Sequence, residues 1–112
     1  MTERDRTYLG HVAERVGRIE TMTARGCGAF DGQFEIQDSV IRSFEVIGEA
    51  TKRLSDDVKA AAPEVPWREI AGFRDVLIHP YIGVDLGLVW ETAERHVPVL
   101  RAAVDRLLAG TR

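Results

Sequence analysis

Four stretches of this chain carry apolar residues at spacings of three and four. Leu9, Val12, Val16 and Ile19 form the first stripe, and Ile36, Val40, Phe44, Ile47, Thr51 and Leu54 the second. The third lies in WREIAGFRDVLI, residues 67–78. The last runs through Leu86, Val89, Ala93, Val97, Leu100, Val104 and Leu107. Such spacings keep a residue set on one side of a 3.6-residue helix. No run alternates with period two, and no Asn-Gly or Asp-Gly step separates two strand-like runs. The expected fold is all-α: an up-and-down bundle of four main helices plus a short one. In the last stripe, Leu100 and Val104 suit either the bundle core or a seam between two copies.

The residues between the stripes supply starts and stops. RGCGAFDGQ, residues 25–33, places three glycines after the first stripe and reads as a loop holding Cys27. Ser55 is a candidate N-cap for a two-turn piece that Pro63 stops. Pro66 suits the first turn of the third main helix, with Glu69 near its positive end. Asp85 is a candidate N-cap for the last helix, within which Pro98 predicts a kink rather than a break.

The chain has 112 residues, 45% of them hydrophobic, enough for one domain over 1–112 with one core. Fifteen Lys and Arg against 18 Asp and Glu give a formal charge of −3, unlike a generally basic nucleic-acid binder. Contact with nucleic acid would need a local basic site. One cysteine permits neither an internal disulfide nor a cysteine zinc site, and Cys27 reads as a spacer thiol. The N-terminus lacks the apolar stretch of a signal peptide, and no apolar run of about 18 residues exists to span a membrane. The expectation is a cytoplasmic protein.

FRDVLIHPY, residues 73–81, concentrates the polar chemistry: a guanidinium, an imidazole and a phenol around a proline. Arg74 and His79 are five residues apart, about 140° of rotation on a regular helix, so they share no tight face. Pro80 disfavours helical backbone at His79. Gly83 permits a sharp turn before the last helix. Each residue has a plain role open to it. Arg74 can form a salt bridge to Asp75 or Glu49, His79 can cap its helix, and Tyr81 can be a core-edge aromatic. Together they fit metal-free phosphodiester chemistry, since imidazole exchanges protons near neutrality and a guanidinium matches phosphate charge. The three histidines, His11, His79 and His96, are far apart in sequence and show no metal-ligand spacing.

The arrangement R-x4-H-x-Y at Arg74, His79 and Tyr81 resembles the signature of the HepT family, within the HEPN group of small helical ribonucleases. DSVIRSFEVIGEATKRLSDD (38–57), with IGEA at 47–50, resembles the family's second helix. PEVPWREIAGFRDVLIHPYIGVD (63–85) resembles its central block, and DRTYL (5–9) and VW (89–90) also fit. The resemblance implies an RNA endonuclease toxin of a type II toxin–antitoxin pair that works without metal or other cofactor. It implies a partner, an MntA-type minimal nucleotidyltransferase acting as antitoxin. By the same analogy His79 is the general acid or base, Arg74 steadies the phosphate, and Tyr81 accepts AMP from the partner. HEPN proteins are usually dimers with facing motifs, so Arg74 and His79 of different subunits can meet. Asp75, the polar residue after the arginine, follows the HEPN pattern, and Glu49 is a candidate partner of Arg74. A non-catalytic homodimer that binds nucleotide or partner stays open beside the enzyme reading.

Overall fold

The computed structural model describes residues 1–77 and 83–110. Six helices occur among them: α1 (Glu3–Thr23), α2 (Cys27–Gly32), α3 (Phe34–Arg53), α4 (Asp56–Ala61), α5 (Trp67–Leu77) and α6 (Leu86–Ala109). No strand occurs among the described residues. α1, α3, α5 and α6 are the four long helices expected from the stripes. All six residues of the second stripe are buried, as are all four of the first. Leu100 and Val104 are 2% and 0% exposed within the single chain, which places them in the core.

The glycine-rich segment differs from the expected loop. Residues 27–32 form the short helix α2. Gly26, at φ 93°, turns the chain into it. Phe30 is fully buried and its ring lies 5.3 Å from that of Trp90 on α6. Burying a phenylalanine stabilises by about 1.5–3 kcal/mol, enough to offset the roughly 1 kcal/mol that each of the two glycines within α2 costs. Cys27 therefore sits in a helical first turn, exposed, with Sγ 3.7 Å from the Asp31 carboxylate.

The caps are where the sequence places them. The Ser55 hydroxyl accepts from Val58 N at 3.3 Å to open α4. Asp85 accepts from Leu88 N at 3.0 Å to open α6. Pro66 precedes α5, and its carbonyl accepts from Ile70 N at 3.0 Å. The indole of Trp67 donates to the carbonyls of Ala62 and Lys59, which closes the end of α4. α6 continues through Pro98 without a break.

α3 is the central element, with α1 on one side and α5 on another; α6 packs on α1. α1 and α3 run antiparallel, because Asp5 at the start of α1 meets Ser55 just past the end of α3. Asp5 is 2% exposed and accepts from Ser55 N at 2.8 Å, Ser55 Oγ at 2.8 Å and Thr2 N at 3.3 Å. One carboxylate thus completes the capping box of α1 and fastens it to the turn before α4. Burial alone would raise its pKa, but the hydrogen bonds from Ser55 and Thr2 outweigh it and hold the carboxyl below the usual carboxylate range.

Gly48 sets the contact between α3 and α5. A Cβ there would overlap Arg74 Cβ and stand 3.3 Å from the Ile70 carbonyl. Only a residue without a side chain lets α5 seat this closely.

Two outcomes follow. Gly48→Ala is expected to cost about 1–3 kcal/mol, as overpacking does, read as a lowered midpoint in thermal unfolding. Asp5→Asn is expected to cost about 1–3 kcal/mol near neutral pH, the effect of leaving buried donors poorly paired. Because the folded pKa of Asp5 is depressed, its contribution is complete above the unfolded pKa and fades as pH falls through the folded one. Stability of the native chain measured by urea melts should drop below about pH 4, and the Asn variant should show a weaker drop.

Candidate functional site

Arg74 lies in the last turn of α5, with its stem against Gly48 and its side chain 28% exposed. Its guanidinium meets two carboxylates: Glu49 on α3 at 3.5 Å and Asp75, its neighbour in sequence, at 3.3 Å. Each carboxylate has another cation. Arg53 donates to Glu49 at 3.2 and 3.3 Å, and Lys52 donates to Asp75 at 2.8 Å. The chain of contacts Arg53–Glu49–Arg74–Asp75–Lys52 holds three cations and two carboxylates, a local excess of one positive charge on an acidic protein. The Lys52 ammonium, helped by Arg74, holds Asp75 below the usual carboxylate range, so it stays ionised. Exposed pairs of this kind contribute about 0–1 kcal/mol each to stability. Their main effect is to fix the direction of Arg74.

This geometry gives Arg74 both of the salt-bridge partners considered from sequence, Glu49 and Asp75. His79 and Tyr81 lie outside the described residues, which resume at Gly83 with φ 85°, the turn conformation expected of it.

The structure also brings Arg74 beside residues that the sequence reading left apart. A cavity of about 220 Å³ opens between α1 and α3. Tyr8 and His11 of α1 form one wall, Arg42, Glu45 and Glu49 of α3 the other, and Arg74 stands at its edge. The Tyr8 and His11 rings are 5.5 Å apart and nearly perpendicular, and the Arg4 guanidinium is 5.8 Å from the Tyr8 ring centre. The available signal was their spacing. Positions 4, 8 and 11 share one helical side, next to the buried Leu9–Val12 stripe. His96 lies elsewhere, in a largely apolar groove with Phe44, Ile70, Phe73 and Leu100 among α3, α5 and α6. No described helix is long and apolar enough to cross a membrane.

The chain is 40% identical over 108 residues to the probable ribonuclease HepT of Thermococcus cleftensis, covering 96% of this chain and 98% of that protein. It is 38% identical over 108 residues to a provisionally named RNase of Caldanaerobacter subterraneus, covering 92% and 93%. A Methanocaldococcus jannaschii protein, named as a gamma-glutamylcyclotransferase and provisionally as an RNase, is 39% identical over 103 residues. That match covers 90% of this chain and 46% of the longer protein. No solved structure matches the chain significantly. Residues 12–107 match the family described as ribonuclease HepT-like, and the chain belongs to that family.

Proposed function

We propose that this protein is a metal-independent endoribonuclease, the toxin of a type II toxin–antitoxin pair, acting on RNA in the cytoplasm. The observation that carries the reading is the R-x4-H-x-Y motif on a member of the HepT-like family, with its arginine oriented by Glu49 and Asp75 at the end of α5. In this reading the RNA 2′-hydroxyl loses its proton and attacks the adjacent phosphorus. The bond to the 5′-oxygen breaks, that oxygen takes a proton, and a cyclic phosphate end remains. His79 moves the proton and Arg74 steadies the charge that grows on the phosphoryl oxygens. Two copies face each other, so that the cations of both motifs converge. The exposed Val76, 53% accessible beside the motif, and the apolar groove bordered by Phe73 support association through this part of α5.

The partner in this reading is an MntA-type nucleotidyltransferase that transfers AMP to Tyr81. The adduct adds bulk and negative charge where RNA phosphate must approach. A second reading, a non-catalytic homodimer that binds nucleotide or partner, draws support from the carboxylates that already pair Arg74.

The deciding experiment compares intact mass with RNA cleavage, for protein made with and without a co-expressed MntA-type nucleotidyltransferase. AMP-sized mass steps mapping to Tyr81, with cleavage by the unmodified form alone, are the expected result. An unmodified, dimeric protein that cuts none of a broad set of RNAs would overturn the enzyme in favour of the binding module. His79→Ala should reduce cleavage about 10²–10⁴-fold, the usual worth of a proton-transfer group, and Arg74→Ala about 10²–10³-fold. Both should relieve growth inhibition at equal expression. Tyr81→Phe should remain unmodified; AMP on that variant at normal yield would place the acceptor elsewhere.

A further inference from the structure

We propose that the cavity between α1 and α3 is a subsite for one unpaired base of the RNA, selective for a base that carries an exocyclic amine. The proposal rests on the ribonuclease reading for its ligand class and adds to it where the strand is held and what it selects. Three observations support it. Along the wall of α1, a cation and two rings follow one another: Arg4, Tyr8 and His11. Beyond them stand Arg42 and Arg74, on the other side of the cavity. Cations interleaved with aromatic rings are what a single strand needs, since phosphates pair with the cations while bases stack on the rings. His11 is exposed and Tyr8 is partly buried, so one ring is held and the other is open to a ligand.

The second observation is Glu45. Its side chain is 21% exposed, yet its cation neighbour, Arg42, stands at 3.6 Å, too long for a hydrogen bond. Among the described residues it accepts no hydrogen bond. A carboxylate that no protein donor reaches, in a cavity lined also by Arg42, Arg74 and Glu49, keeps its acceptor oxygens free for a ligand. It is suited to a ligand that brings a donor. A base amine is such a donor, and carboxylates accept from the amine of cytosine in the same way. Uracil presents a carbonyl oxygen at that place, which a carboxylate repels.

The third observation is position. The cavity edge is Arg74 itself, so a base seated on Tyr8 and His11 leaves its phosphate near the guanidinium to which the cleavage reading assigns the scissile group. At about 220 Å³ the cavity has room for one base.

The test is fluorescence anisotropy of unmodified full-length protein with labelled 2′-O-methyl hexamers of cytidine and of uridine. The methyl group blocks the attacking hydroxyl, so binding is read without cleavage. The cytidine strand should bind several-fold more tightly. Tyr8→Leu should weaken both strands by about ten-fold, the scale of one stacked base. His11→Ala, at an exposed position that leaves the core intact, should weaken both in the same sense. Glu45→Gln should bring the ratio of the two affinities close to one, because an amide both donates and accepts. Equal binding of the two strands by the native chain would overturn the proposal, as would native affinities in both the His11→Ala and Glu45→Gln proteins. A chain that binds both strands alike but cleaves all-ribose RNA would sink the subsite and leave the ribonuclease standing. One that shows the preference and the variant effects but cuts no RNA would keep the subsite and remove the enzyme.

Discussion

The contact between Gly48 and Arg74 is the constraint on which the candidate site depends. α3 and α5 approach so closely there that a methyl group would overlap the arginine stem. The approach has two effects. It buries Ile70 and Leu77 of α5, and it brings the Arg74 guanidinium to Glu49, the residue after the glycine. IGEA, residues 47–50, therefore holds three roles in four residues. Ile47 and Ala50 are buried, Gly48 admits the neighbouring helix, and Glu49 receives its cation.

The electrostatics follow from that packing. A chain of formal charge −3 has little general attraction for a polyanion. It does have a place where the balance reverses locally, because three cations from α3 and α5 share two carboxylates. Those pairs are exposed and contribute little to folding. Asp5 contrasts with them. It is buried, tied to Ser55 and Thr2, and it holds the far ends of α1 and α3 together. The protein thus keeps its structural carboxylate buried at the closed end of the α1–α3 pair and its adjustable ones on the surface.

Much of the fold was legible because its signals are local. The stripe from Ile36 to Leu54 named the buried face of α3 residue by residue, and Ser55 and Asp85 marked helix starts through side-chain chemistry that needs no distant partner. α2 was not legible. Its glycines describe a loop, and burial of Phe30, whose ring packs near Trp90 sixty residues away, favours a helical turn there. The site was legible in kind, since R-x4-H-x-Y and IGEA stand in the sequence. The presence of Tyr8 and His11 beside Arg74 was not, because it depends on how two helices distant from α5 in sequence are aligned against each other.

By itself, the sequence determined the four long helices, their buried faces and the caps at Ser55 and Asp85, which follow from periodicity and short-range hydrogen bonding acting within a few residues. Its R-x4-H-x-Y and IGEA motifs carried the family resemblance. The tertiary structure decided which faces meet. The antiparallel pairing of α1 with α3 and the close seating of α5 on Gly48 fixed the partners of Arg74 and created the cavity beside it. A stripe specifies that a face is buried; the shapes of both faces and the space left at one glycine decide what buries it.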